Sequence, residues 1–275
     1  MPEMLRIPTS HAEIAVQDSG GKGPVVLLIH GNSASSEIFG RQFASPLAQD
    51  YRLLALDLPG HGASTDAADP QGSYTVPGYA QMAGEVLAAL GIADYALVGW
   101  SLGGHIAIEM TALTPAPRAL VITGTPPAPK SPDALAMCFK PTPHMALTGQ
   151  RDFTDAEALA YARAGAGDDV TEGDFIYRAV RRTDGRARQR VIEGFMQGLG
   201  VDQKEAVERF SGPLAVINGA DEPFVNNDYL SVPVYGNLWR GRPHFIAGSG
   251  HAPFYTHADA YNALLGDFLQ NAFKG

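Results

Sequence analysis

A chain of 275 residues is long enough for one sizeable domain with a large core and room for an insertion. Its formal net charge of −9 argues against nucleic acid or an anionic membrane surface as a general partner. The single cysteine, Cys138, rules out an intramolecular disulfide and a cysteine-rich metal site. The first residues lack a basic stretch followed by an apolar core, and no apolar run approaches the roughly 20 residues of a membrane span. A soluble, cytoplasmic protein is expected.

Residues 4–18 alternate loosely and end in Asp18-Ser19-Gly20-Gly21, which predicts an antiparallel hairpin at a sheet edge. Residues 25–29 form a continuous apolar run, as in a strand covered on both faces. The run leads into His30-Gly31-Asn32-Ser33, a polar loop at a strand's C-terminal end, where open α/β sheets place their ligands. A second buried strand at 53–56 precedes Asp57-Leu58-Pro59-Gly60-His61-Gly62. Tyr79, Met82, Ala83, Val86, Leu87 and Leu90 fall on one stripe, predicting a helix over 77–90 stopped by Gly91. A short strand at 96–98 then reaches Gly99-Trp100-Ser101-Leu102-Gly103 and passes directly into an apolar helix. A further strand is expected at 119–122.

The pattern changes after Pro127. Regular alternation gives way to a Pro-rich stretch and helical-looking segments near 155–164 and 174–198, and resumes with strands at 214–217 and 244–247. This predicts a helical cap over 128–210 inserted into a core built from 1–127 and 211–275. The Arg181–Arg190 run is expected to be a solvated surface of that cap. A last amphipathic helix carries Tyr261, Leu264, Leu265, Phe268 and Leu269 on one stripe. Strands alternating with helices give a mostly parallel sheet. With a serine at the turn after a central strand, the expected fold class is α/β, of the α/β-hydrolase architecture.

The glycines two before and two after Ser101 suit a sharp strand-to-helix turn that holds the hydroxyl clear of the sheet. Such a turn places the Leu102 N–H and the helix's positive end where an oxyanion would develop. A serine hydroxyl needs a base, and the base needs an orienting acid, in the chain order serine, acid, histidine for this architecture. His251, on the Gly-rich loop Gly248-Ser249-Gly250-His251, is the candidate base. His30 and His61 lie upstream of the serine and His105 lies before the acid loop, so all three are in the wrong order; His61 is expected to be structural. His244 falls inside a predicted strand, where a hydrogen-bonded structural role is expected. The acid belongs to the loop after 214–217, which offers both Asp221 and Glu222. The G-x-x-D-x-x-V spacing common in this fold runs from Gly219 to Val225 and favours Glu222, with Asp221 as the competitor; the one that is not the acid is expected to make a structural hydrogen bond in the loop. The second oxyanion donor is expected from the loop after the first buried strand, at the Asn32 N–H. There is no phosphate-binding loop, no dinucleotide fingerprint and no H-x-H-x-D-H metal cluster, so no cofactor and no metal are expected. Serine at 101 also argues against the aspartate-nucleophile dehalogenases and epoxide hydrolases of this fold.

Taken together, His-Gly-Asn-Ser at 30–33, Asp-Leu-Pro-Gly-His-Gly at 57–62, Gly-Trp-Ser-Leu-Gly-Gly-His at 99–105 and Thr-Gly-Thr-Pro-Pro at 123–127 form a set. Asp-Glu-Pro-Phe-Val at 221–225, Gly-Asn-Leu-Trp at 236–239 and Gly-His-Ala-Pro-Phe at 250–254 complete it. The set resembles the metal-independent, α/β-hydrolase-type N-acyl-homoserine lactonases, the quorum-quenching enzymes. The resemblance implies a Ser101–His251–Glu222 triad, an Asn32/Leu102 oxyanion hole and a cap tyrosine on the lactone, at the position held by Tyr161. Trp100 and Asn32 are further candidate substrate contacts. The implied activity is opening of the lactone ring through an acyl-enzyme, by a monomer or small homo-oligomer acting on a small acyl lactone. The rival readings are a carboxylesterase for linear esters and a hydrolase-fold receptor for a small ligand.

Overall fold

The computed structural model describes residues 2–274. Eight strands form one sheet: β1 Glu3–Pro8, β2 Glu13–Asp18, β3 Val25–Ile29, β4 Arg52–Leu56, β5 Tyr95–Trp100, β6 Ala119–Thr123, β7 Leu214–Gly219 and β8 His244–Ile246. Their spatial order is β1-β2-β4-β3-β5-β6-β7-β8. β1 and β2 form the expected edge hairpin, β2 pairs antiparallel with β4, and the remaining neighbours are parallel. The fold is that of an α/β hydrolase, as the alternation of strands and helices predicts.

The apolar runs lack a period of two because both sheet faces are covered. In β3, Leu27 and Ile29 join the core on one face, while Val26 and Leu28 join the core on the other. The first face is covered by the helices Val76–Ala89 and Leu102–Met110, the second by Ala258–Lys274. The helix Val76–Ala89 starts where Thr75 Oγ1 accepts the Gly78 N–H at 3.0 Å and stops before Gly91, at φ +69°.

Between β6 and β7 the chain runs through the helices Pro132–Cys138, Pro143–Leu147, Asp155–Ala166, Phe175–Arg182, Gly185–Met196 and Gln203–Arg209. The helical stretch expected at 174–198 is broken at Thr183-Asp184. Thr183 leaves helical geometry at ψ 129°, and the Asp184 carboxylate caps the next helix by accepting the Arg186 N–H at 3.0 Å. A capping residue followed by Gly185 was the sequence signal for that break. The arginine run is exposed at Arg181, Arg182 and Arg190, as expected, and departs from expectation at Arg188. Arg188 is 4 % exposed and donates to the carbonyls of Gln150 (2.9 Å), Arg151 (2.8 Å) and Val180 (3.3 Å). Its guanidinium also lies 4.2 Å from the centre of the Phe153 ring. It ties the 149–153 loop to two helices rather than facing water.

Three histidines are buried in the hydrolase core and held neutral. Burial lowers His30, His61 and His105 below their ordinary value of 6.5, His105 to about 4. The unfolded chain therefore binds more protons than the native one once pH falls below about 6.5. This contribution to stability is fully present well above that value, at about pH 7.5, and is lost progressively as pH falls through it toward about 5. Denaturant titrations at those two pH values test this; an unchanged or larger unfolding free energy at the lower pH would contradict it.

Candidate active site

β5 ends at Trp100 and the helix Leu102–Met110 begins at once, with Ser101 between them at φ 55° and ψ −119°. That conformation costs a non-glycine residue about 1–3 kcal/mol and persists only where packing enforces it. A Cβ on Gly99 would lie 2.3 Å from the Gly103 carbonyl oxygen, and one on Gly103 would lie 2.0 Å from that of Ile29. The glycines of G-x-S-x-G are thus required by the close approach of the helix to the strand ends. The Ser101 N–H donates to the Thr123 carbonyl at 2.8 Å, and its own carbonyl accepts from Thr125 Oγ1 at 2.9 Å.

His251 follows β8 on its glycine-rich loop. Its carbonyl accepts from the Trp100 indole at 2.8 Å, and its ring lies between Phe224 (centroids 4.7 Å apart) and Trp100 (5.4 Å). Nδ1 is 2.8 and 2.9 Å from the two carboxylate oxygens of Glu222. A carboxylate accepts only, so Nδ1 carries the proton and Nε2 keeps a free lone pair. Glu222 is 1 % exposed, and its Oε1 also accepts the N–H groups of Phe224 (2.9 Å) and Val225 (3.4 Å). The spacing to Val225 has this physical content: the backbone after the acid returns to hold its carboxylate. The segment between the helices Pro132–Cys138 and Pro143–Leu147 braces the same loop, with Lys140 Nζ donating to the Glu222 carbonyl at 2.7 Å and the Lys140 N–H to that of Phe224 at 2.8 Å.

Asp221 is exposed. Only its backbone takes part in the loop, donating to the Ser249 carbonyl at 2.9 Å; its carboxylate accepts no hydrogen bond from a described residue, contrary to the structural role expected of it. His244 is a structural residue of β8, as expected, though only partly hydrogen-bonded. It is buried against Trp239, with ring centroids 4.8 Å apart, but its Nε2 has no partner among the described residues. His61 is structural as expected, donating from Nδ1 to the Pro59 carbonyl at 3.0 Å and packing on His30.

Ser101 and His251 line one cavity of about 330 Å³, together with Asn32, Trp100, Leu102 and Tyr161. The candidate nucleophile, base, oxyanion donors and substrate contacts therefore line one cavity, and Glu222 joins them through His251. The Ser101 hydroxyl makes no hydrogen bond to a described residue; its contact with His251 is the one link of the relay left open, as is common before substrate arrives. The N–H groups of Asn32 and Leu102 donate to no described residue. Leu102 opens its helix, so its N–H has no partner within it. The Asn32 side chain is already committed, donating to the Thr148 carbonyl at 2.9 Å, which leaves its backbone N–H as the free group. Tyr161 packs on Phe153 and Phe224, and burial pushes its phenol up to about 12, so it remains a hydrogen-bond donor at neutral pH. One lining residue was missed. His105, discounted as a base, faces the cavity from one turn beyond Ser101 on the same helix, and its i+4 spacing from the serine was the signal.

Gly124, at φ +61°, lies flat against the imidazole: a Cβ there would be 2.6 Å from His251 Cε1. Gly124→Ala is expected to push the ring out of line and lower kcat about 100-fold. A kcat within about twofold of the parent protein would contradict that assignment of the contact.

A strained serine over a helix start, a histidine–carboxylate pair and two free N–H groups can together activate a hydroxyl and hold an oxyanion. The Alpha/beta hydrolase family model matches residues 26–264, and the chain belongs to that family. It is similar in particular to N-acyl homoserine lactonase AidH. A serine-to-glycine mutant of AidH complexed with N-hexanoyl homoserine lactone is 44% identical with a TM-score of 0.95, covering 99% of this chain and 99% of that one. A glutamate-to-glycine mutant complexed with N-hexanoyl homoserine gives the same identity and TM-score, covering 99% and 98%. Pimeloyl-acyl-carrier protein methyl ester esterase of Xanthomonas oryzae pv. oryzae is 30% identical over 90% of this chain and 96% of its own length. Among the described residues no helix is long and apolar enough to cross a membrane.

Proposed function

We propose that the protein hydrolyses the lactone ring of N-acyl-homoserine lactones, releasing N-acyl-homoserines. The observation that carries this reading is its likeness, over the whole of both chains, to a lactonase seen with such a lactone and with the opened product.

In this reading Ser101 is the nucleophile, His251 the base and Glu222 the acid that orients it. The Ser101 oxygen bonds to the lactone carbonyl carbon as its proton passes to His251 Nε2, and the N–H groups of Asn32 and Leu102 hold the oxyanion. The ring C–O bond then breaks, and the leaving oxygen takes the proton from His251. The product of this half-reaction is an ester of Ser101 that still carries the homoserine hydroxyl. Water attacks that ester with His251 again as base, and the acyl-homoserine leaves. Tyr161 donates to the lactone, with Trp100 beside it. Residues 128–210 act as a cap over a core of 1–127 and 211–275, supplying an apolar slot for the acyl chain. The slot's residues support that role: Leu135, Phe139, Val191 and Phe195 line the cavity, and Met196 at its edge is 64% exposed. The protein works as a cytoplasmic monomer or small homo-oligomer with a small-molecule substrate and no metal or organic cofactor.

The same relay serves linear esters, and the similarity to a methyl ester esterase makes a carboxylesterase the second reading. Acid release at constant pH separates the two, with hexanoyl- and decanoyl-homoserine lactones run beside p-nitrophenyl butyrate. Rapid acid release from the lactones, unchanged by EDTA, is expected. Turnover of the nitrophenyl ester alone would leave the esterase reading.

A further inference from the structure

The cavity has a polar wall that the hydrolytic relay does not use. His105 is 9% exposed and lines the cavity on the side of Phe139 and Phe195, whose rings lie 6.2 and 5.1 Å from its own. Its Nδ1 is 2.7 Å from Gln203 Oε1. That oxygen also accepts the Ala128 N–H at 3.4 Å, so the carbonyl side of the amide faces the ring and Nδ1 is the donor. Burial pulls the imidazole down to about 4, so near neutral pH it carries a single proton, the one given to Gln203. Nε2 is left with a lone pair and no partner among the described residues, and it is not among the sealed, unpartnered atoms of the interior. It opens on the cavity as a lone acceptor in an otherwise apolar slot.

We infer that His105 Nε2 is a specificity-determining acceptor for a hydroxyl on the third carbon of the acyl chain. This rests on the lactonase reading above. His105 follows Ser101 within one turn, its N–H donating to the Ser101 carbonyl at 3.2 Å, and both residues line the same cavity. That one-turn separation suits the few bonds between a lactone carbonyl at Ser101 and the third acyl carbon. A hydroxyl there donates to Nε2. A ketone offers only lone pairs and sets acceptor against acceptor. A methylene leaves Nε2 desolvated and unpaired, which costs binding. The substrate's amide N–H is a competing donor, but it is common to all three chains and cancels when they are compared.

The test is kcat/KM for 3-hydroxy, 3-oxo and unsubstituted acyl-homoserine lactones of one chain length, on the parent protein, His105→Leu and His105→Gln. The parent is expected to prefer the 3-hydroxy over the 3-oxo chain by about tenfold or more. It is also expected to distinguish the two 3-hydroxy epimers. In His105→Leu the 3-hydroxy to 3-oxo ratio should fall to about one, and His105→Gln, which keeps an acceptor oxygen, should restore part of it. A ratio unchanged in His105→Leu, or an equal loss on all three chains, would overturn the inference, the latter by assigning Nε2 to the amide. Should His105→Leu not fold, a parent protein indifferent to the hydroxyl and to its epimer would overturn it alone. Turnover of none of the lactones would remove the lactonase reading and this inference with it.

Discussion

Ser101→Ala is expected to lower kcat/KM on an acyl-homoserine lactone by about 10⁴-fold or more, with the fold intact. The hydroxyl is the only group on the elbow able to form a covalent bond to the carbonyl carbon. The turn that presents it holds Ser101 at φ 55° for a reason of position rather than of side chain. Alanine tolerates that backbone no worse than serine, and the hydroxyl lost has no hydrogen-bond partner among the described residues. Circular dichroism and thermal unfolding should therefore match the parent while turnover collapses. A mutant retaining a tenth of the activity would remove Ser101 from the role of nucleophile.

The second large effect is expected at Glu222. Its carboxylate holds the His251 Nδ1 proton from both oxygens, at 2.8 and 2.9 Å, and is itself held by two backbone N–H groups. Glu222→Gln keeps the volume but removes one acceptor, and its amide N–H₂ favours the imidazole tautomer with the proton on Nε2. In that tautomer the base has no lone pair for the serine. A loss of about 10³–10⁴ in kcat is expected, by analogy with removing the charge of a triad acid. Asp221→Asn is the matched control: its exposed carboxylate touches nothing in the relay, and a change within about twofold is expected. Comparable losses in the two variants would show that the loop, and not the Glu222 carboxylate, is what matters.

The contrast between these neighbours shows what the sequence made legible. Asp221 and Glu222 are chemically alike, and spacing to Gly219 and Val225, together with the lactonase resemblance, separated them. The structure gives that spacing a cause, since the N–H groups of Phe224 and Val225 return to the carboxylate two and three residues before them. The elbow was legible for the same kind of reason, because Gly99 and Gly103 answer steric demands met within a few residues and the strand end beside them. The strands were legible because a buried parallel sheet makes continuous apolar runs. What was not legible depends on partners far along the chain. Arg188 reads as one more charge in a basic run, but it is buried by the carbonyls of Gln150 and Arg151, 38 and 37 residues away. His105 meets Gln203, 98 residues on, and its neutral, one-sided hydrogen bonding follows from that contact. Neither pairing leaves a periodic or local trace.

The most direct test of the central claim is rapid acid quench during the first turnover, with intact-protein and peptide mass spectrometry. A linear ester loses its alcohol on acylation, whereas a ring-opened lactone adds its whole mass to the enzyme. The expected result with hexanoyl-homoserine lactone is a transient adduct of the full lactone mass on the peptide bearing Ser101, absent from Ser101→Ala. An adduct of that mass on another residue, or product formed by Ser101→Ala at the parent rate, would contradict the account.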